Sequence, residues 1–224
     1  MYPTDSYEVS KILKAMQAKK STGHDGISTK ILKSILEGIT EPIAKIINSS
    51  LSEGIVPDQM KVAKVVPIFK SKDKQLLNNY RPISLLPSIS KILEKVVHKR
   101  LYSYFTLHDL FYDSQYGFRP KHSTINAVTE FTHDTLVSFE QQESTLAVYL
   151  DLSKAFDTIN HDILIQKLQF YGVRGTSLDW FKSYLSDRSQ FVKFNNCESI
   201  TLDVKCGVPQ GSVLGPLQIY HLHE

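Results

Sequence analysis

Val148-Tyr149-Leu150-Asp151-Leu152-Ser153-Lys154-Ala155-Phe156-Asp157 is the stretch on which the reading of this chain turns. Leu146 to Leu150 is a short apolar run, the shape expected of a buried central strand. Such a strand does not ordinarily end on a carboxylate. An aspartate at the end of a buried strand meets the surface at the sheet's edge, where its oxygens can hold a hard cation. Asp151 can equally cap the helix that follows. Position alone does not choose between the two. A phosphatase with an aspartate nucleophile also places Asp after an apolar strand, but it wants a second acid two residues on. Here that position is Ser153, so that alternative falls.

Downstream, Asn160 caps a predicted helix through Ile163, Leu164, Lys167 and Leu168 to Gly172. Ser177 opens another, with Leu178, Phe181 and Leu185. Gln190–Asn195 and Ser199–Lys205 read as a hairpin turned at Asn195-Asn196. Upstream, Ser123 opens a helix with Ile125, Val128, Thr132, Leu136 and Phe139 on one side. Ile89, Ile92, Leu93, Val96 and Val97 mark a strong helix before it. Val62 to Lys70 is a valine-rich strand interrupted by Pro67, which predicts an edge position. Nearer the start, Val9, Ile12, Leu13 and Met16 recur at helical spacing, ending near Lys19-Lys20, and Asp5 with Glu8 can form a capping box. After the turn Ser21–Gly26 a second helix begins near Thr29. A third runs from Thr40 to Gly54, with Gly54 as its stop. No internal repeat or low-complexity tract appears. The mixture predicts an α/β (α+β) fold with many helices.

Composition bounds the function classes. With 224 residues, 42% hydrophobic and 22% charged, the chain can bury a core. No apolar run approaches the ~18 residues of a membrane span, and Met1-Tyr2-Pro3-Thr4-Asp5 lacks the basic and apolar regions of a signal peptide. An intracellular protein that does not engage a membrane is expected. Cys197 and Cys206 form no C-x-x-C pair, which argues against zinc and against a disulfide framework. The net charge of +3 is unevenly spread: residues 1–122 carry 19 Lys and Arg against 11 Asp and Glu, residues 123–224 carry 7 against 12. A basic first half suits a polyanion, although lysines on solvated helix faces give the same count.

Three further segments can carry chemistry. Cys206-Gly207-Val208-Pro209-Gln210-Gly211-Ser212-Val213-Leu214-Gly215-Pro216 sets glycines around Pro-Gln, so backbone can approach a ligand closely, and Ser212 can cap the next helix. Read alone it is also an ordinary loop. Asn79-Tyr80-Arg81-Pro82 offers a planar guanidinium fork that matches phosphate, with Lys70 ending the preceding strand. Gln115-Tyr116-Gly117-Phe118-Arg119-Pro120-Lys121-His122 interleaves aromatics with bases, a pattern for stacking and backbone contact on nucleic acid.

Taken in this order, the segments closely resemble the reverse transcriptases of non-LTR (LINE- and jockey-like) retrotransposons, over nearly the whole chain. Lys20-Ser21-Thr22-Gly23-His24-Asp25-Gly26-Ile27 resembles the family's N-terminal block. Val66–Lys70 and Asn79–Leu86 resemble the paired fingers motifs, and Gln115–Arg119 the insert that follows. Tyr149–Asp157 resembles palm motif A, and Gly207–Ser212 palm motif B. The resemblance implies a right-hand polymerase: 1–224 as a single reverse transcriptase domain, with 1–144 mainly fingers and the start of the palm, and 145–224 a partial palm. It implies addition of deoxynucleotides to a DNA primer on an RNA template, with two magnesium ions in the complete family site. Carried over by motif, Asp151 is the catalytic metal ligand, assisted by the Leu152 carbonyl. Lys70 and Arg81 hold the incoming triphosphate. Phe156 is a steric gate against a ribose 2′-hydroxyl, and Gln210 and Gly211 line the nucleotide pocket. Gly117, Phe118 and Arg119 contact template. Asp157 orients local backbone.

The family also uses a palm hairpin written Tyr-x-Asp-Asp, and no Asp-Asp pair occurs in this sequence. His221 and His223, at alternating spacing near the end, do not replace it. The expectation is therefore a reverse transcriptase domain truncated before that hairpin and inactive by itself. The alternative is a non-catalytic nucleic-acid-binding remnant of a retrotransposon.

Overall fold

The computed structural model describes residues 1–151 and 154–220, the side chains of 218–220 excepted. Leu152, with its expected carbonyl ligand, and His221 and His223 lie outside the described residues. The chain divides into two compact units: Met1–Ser103 with Ala155–Glu224, and Tyr104–Lys154. Helix and strand mix as expected, and among the described residues no helix is long and apolar enough to cross a membrane.

The first unit opens with α1 (Ser6–Ala15), whose Val9 and Leu13 are buried. The Asp5 carboxylate accepts from the Glu8 amide at 2.7 Å. Half of the expected capping box therefore forms, while the Glu8 side chain turns to Arg100 at 2.5 Å. The helix ends four residues before Lys19. Helix α2 (Thr29–Ser34) is capped by Ser28, and α3 (Leu36–Glu53) ends on Gly54 at φ 70°. Strands β1 (Val62–Phe69) and β2 (Tyr80–Leu85) form an antiparallel ribbon, and α4 (Ser88–Leu107) follows. In the second unit α5 (Thr124–Glu140) is capped by Ser123, as read from the sequence. The chain returns to the first unit with α6 (His161–Phe170), α7 (Gly175–Leu185), β3 (Ser189–Phe194), β4 (Cys197–Glu198), β5 (Leu202–Asp203) and α8 (Gly215–Tyr220). Asn160 caps α6 through the amides of Asp162 and Ile163. The core gathers Val9, Leu13, Ile43, Ile47, Leu93, Val97, Trp180 and Phe181, all nearly inaccessible. Trp180 Nε1 donates to Ser50 Oγ at 2.9 Å, which gives its buried polar tip a partner.

The sheet runs β2-β1-β3-β4, with β5 pairing β3. The expected edge position of Val62–Lys70 is corrected: β1 is flanked by β2 on one side and, in parallel, by β3 on the other. Proline survives there because of register. Pro67 stands opposite Pro82, and β3 pairs only with Val62–Val65. The Lys70 amide bonds the Asn79 carbonyl, so by alternation the Pro67–Pro82 pair is non-hydrogen-bonded and neither missing N–H belongs to the shared ladder. The hairpin turned at Asn195-Asn196 forms as expected, with Phe194 opposite Cys197 and Asn195 at φ 53°.

A second correction concerns Leu146–Leu150. These residues form no strand, and Leu146, Val148, Tyr149 and Leu150 are exposed. Asp151 therefore does not stand at the tip of a buried strand. Apolar character alone does not make a strand; neighbouring strands must supply the hydrogen bonds and a covering face, and no described strand pairs with this segment.

Candidate functional site

The site grows from one edge of the sheet. Alternation along β2 that leaves Pro82 unpaired toward β1 does the same at Ser84, so the Ser84 amide points off the free edge. The Gln210 carbonyl accepts it at 2.8 Å. Gly211, at φ 116°, lies against the Ser84 carbonyl; a Cβ there would approach it to 3.0 Å. The 209–211 loop is thus laid along β2 by backbone contacts that a side chain at 211 would push away.

The same loop is tied at its start to the segment after Asp151. The Val208 amide donates to the Phe156 carbonyl at 2.7 Å, and the Gly207 amide to the Ile159 carbonyl at 2.8 Å. His161 Nε2 bonds the Gly207 carbonyl at 2.7 Å. Gly207 has φ 82°, and a Cβ would stand 2.7 Å from the Phe156 carbonyl oxygen. Only glycine lets the two segments close this far. Beyond the loop, Ser212 Oγ accepts from the Gly215 amide at 3.0 Å, the helix-capping role read from the sequence. The Phe156 ring lies close over Gly215, with 3.4 Å from its Cε1 to a Cβ built there.

These ties enclose a cleft of about 400 Å³. Its floor is one face of the sheet, carrying Ala63 and Val65 of β1, Ser84 of β2 and Val192 of β3. Its rim carries Phe156, Asp157, Pro209 and Gln210. Phe156 and Gln210 are half-buried, so both present atoms to the cleft and to solvent. The structure thus brings Phe156, Gln210 and Gly211 together, although some fifty residues separate them in sequence. The sheet residues of the floor were not foreseen, because nothing in the sequence pairs β1 with β3.

Lys70 and Arg81 come together elsewhere in the same unit. They flank the end of the β1–β2 ribbon that the 70–79 loop closes, both exposed, and neither lines the cleft. Arg81 stands opposite Ile68, on the ribbon face away from Pro82.

Asp151 and the 117–119 trio belong to the other unit. Arg119 folds back within its own loop: its guanidinium lies 5.2 Å from the Phe111 ring and donates to the Tyr112 carbonyl at 2.8 Å. Phe118 is exposed with its backbone left-handed at φ 57°. On α5, Ile125, Val128, Leu136 and Phe139 are exposed. Asp151 is exposed too, and among the described residues no three His, Cys, Asp or Glu side chains gather to hold a metal ion. As placed, the described residues do not make a two-magnesium site.

Comparison with known proteins gives one answer. The family model for reverse transcriptase (RNA-dependent DNA polymerase) matches residues 69–221. A probable RNA-directed DNA polymerase from transposon BS of Drosophila melanogaster is 38% identical over 94% of this chain and 23% of its own length. The counterpart from transposon X-element of the same fly is 32% identical over 99% of this chain and 24% of its length. The RNA-directed DNA polymerase from mobile element jockey, also of Drosophila melanogaster, is 31% identical over 93% and 23%. The chain spans about a quarter of the length of these relatives.

Proposed function

Because the chain belongs to the reverse transcriptase (RNA-dependent DNA polymerase) family, in its non-LTR retrotransposon branch, we propose that it supplies the fingers and part of the palm of a polymerase that adds deoxynucleotides to a DNA primer on an RNA template. Residues 1–144 are mainly fingers with the start of the palm, and 145–224 are partial palm. The observation that carries the reading is the cleft, where the 206–211 loop, tied to the Phe156 and Ile159 carbonyls and to β2, brings Gln210 to the same cleft as Phe156.

In this reading the cleft receives the sugar and base of an incoming deoxynucleotide. The Phe156 ring, close against Gly215, crowds a ribose 2′-hydroxyl. Gln210 offers a donor and an acceptor, and Gly211 keeps the backbone close. Lys70 and Arg81, which lie outside the cleft at the looped end of the ribbon, are assigned by motif to the triphosphate, which they would hold by charge-assisted bonds. Gly117, Phe118 and Arg119 meet the template. Magnesium is the family's cofactor and Asp151 its motif-matched ligand. The family chemistry needs further carboxylates beside it, and among the described residues no three His, Cys, Asp or Glu side chains gather to hold a metal ion.

The test is nucleotide binding by the purified 224-residue polypeptide, followed with a fluorescent deoxynucleotide and its ribonucleotide twin. Binding is expected to favour the deoxy form by about tenfold or more, near 1.4 kcal/mol. Phe156→Ala is expected to erase that preference, and Gln210→Ala to weaken both. Equal binding of both sugars by the unaltered chain, or no response to either substitution, overturns the assignment.

A further inference from the structure

One of the most deeply buried polar side chains near this loop is one that the cleft does not touch. Glu94 of α4 is 1% exposed. Its Oε2 accepts from the Val213 amide at 2.6 Å and from the Leu214 amide at 3.3 Å. Its Oε1 stands 3.5 Å from Ser90 Oγ. Burial pushes the carboxyl up from its ordinary range, against the pull of the Arg188 guanidinium and of those two amides. Arg188 is as deeply buried, at 1% exposure, and donates to the Tyr184 carbonyl at 2.9 Å. A carboxyl costs several kcal/mol to bury and is kept where its oxygens are occupied. Here they are occupied by the backbone of the loop that carries Gln210 and Gly211.

We infer that Glu94 is a positioning residue for the nucleotide loop, fixing Gln210 and Gly211 by holding the two amides that follow them. The loop is anchored at three places. Val208 is held by Phe156, and Gln210 by Ser84. Glu94 holds 213 and 214, the last residues before α8 begins at Gly215. Without the third anchor, the stretch after Gly211 keeps the bonds inside its own turn, Ser212 amide to Pro209 carbonyl and Gly215 amide to Ser212 Oγ, but loses its hold on α4. With no Cβ, Gly211 is free to leave its φ of 116° for many other backbone conformations. Glu94 does not line the cleft, so it acts on a ligand only through the loop. It also joins the fingers helix α4 to the palm loop, so a change in one is felt in the other. The sequence carried a faint signal for it: Glu94 falls in the helical stripe of Val97 and Leu101, where an apolar residue belongs.

This inference rests on the nucleotide-binding reading of the cleft, and the experiment separates the two. Glu94→Gln keeps an acceptor oxygen for the amides; Glu94→Leu removes both oxygens at similar volume. With the unaltered 224-residue chain and a fluorescent dATP analogue in magnesium buffer, Glu94→Leu is expected to weaken binding about tenfold or more. Glu94→Gln is expected to stay within about threefold. Duplex RNA affinity, which does not use this loop, is expected to stay level. Backbone hydrogen exchange at Val213 and Leu214 is read alongside. Both amides are expected to be strongly protected in the unaltered chain, and to exchange faster in Glu94→Gln as a charge-assisted bond gives way to a neutral one. Equal nucleotide affinities for the Leu and Gln variants overturn the inference. Should Glu94→Leu not fold, unprotected 213 and 214 amides in the unaltered chain, or no change in Glu94→Gln, overturn it instead. If the unaltered chain binds no nucleotide, the cleft reading fails, and the exchange data still decide whether Glu94 holds the loop.

Discussion

Gly207 shows how one residue sets the site. Its φ of 82° lies where an L side chain is strained, and a Cβ there would meet the Phe156 carbonyl oxygen at 2.7 Å. Gly26 has a similar φ of 71°, but nothing lies within 4 Å of its missing Cβ. Gly26→Ala therefore adds only backbone strain, roughly 1 kcal/mol. Gly207→Ala adds strain and a collision with backbone that cannot retreat, roughly 2–3 kcal/mol together. Urea titrations of the two variants check the order, and a Gly26→Ala loss equal to that of Gly207→Ala contradicts it.

Glu8 gives a pH prediction at the same scale. Its hydrogen bond to the buried Arg100 guanidinium is the chief cause that holds its carboxyl down to about 2, from a usual 4.5, against the opposing effect of burial. Because the folded value is the lower one, folding favours the ionised form. The pair's contribution is complete above pH ~4.5 and is lost as the pH falls toward 2. A shift of this size corresponds to about 3 kcal/mol. Glu8→Gln is expected to be less stable at pH 7 and to lose less stability between pH 5 and 2.5 than the parent. Parallel stability–pH curves for the two proteins contradict the assignment.

At the scale of elements, the β1–β2 ribbon tolerates two prolines because they face each other where the ladder asks for no N–H. The next residue is different. Ile83 pairs with Val66 at a hydrogen-bonded position by the same alternation. Pro82→Ala is expected to change stability by less than about 1 kcal/mol, while Ile83→Pro costs about 3 kcal/mol or more. Thermal unfolding of both variants tests the register, and a benign Ile83→Pro shows that it is shifted by one. Helix α6 offers a milder check. Asn160 caps two amides, so Asn160→Ala is expected to cost about 1 kcal/mol in the same measurement.

At the scale of the whole molecule, the charge is divided along the chain: the first 122 residues are net positive and the remainder net negative. A polymerase part and a non-catalytic nucleic-acid-binding remnant both predict RNA affinity from the basic half. Affinity for duplex RNA is expected to fall on the order of a hundredfold between 50 and 200 mM salt, the mark of about four phosphate contacts. A gel shift at several salt concentrations reads this directly. Asp151→Asn is expected to leave that binding intact, because removing one acid does not weaken a basic face. Only a polymerase in which Asp151 serves the reaction loses primer extension with it. Salt-independent binding counts against both readings.

Much of the local structure was legible in the sequence, because it depends on neighbours along the chain. Caps at Ser123 and Asn160, the stop at Gly54, the turn at Asn195-Asn196 and the apolar stripes of α1 and α4 are set by residues a few positions apart. The ordered motifs fixed the family for the same reason: they are written in residue types. Other features depended on distant partners. The apolar run 146–150 looked like a strand, but a strand exists only when another pairs with it. Pro67 spoke for an edge, yet β3, arriving from more than a hundred residues away, gave β1 a second neighbour just short of that proline. Glu94 looked like one helix charge among many until α8 brought the amides of 213 and 214 to it. By itself the sequence determined the types of element, their order and the family they belong to, since propensity, capping and motif chemistry are local. Only the tertiary structure decided which strands pair, which charge is buried and which residues share the cleft, because each rests on hydrogen bonds and burial between segments that the chain keeps far apart.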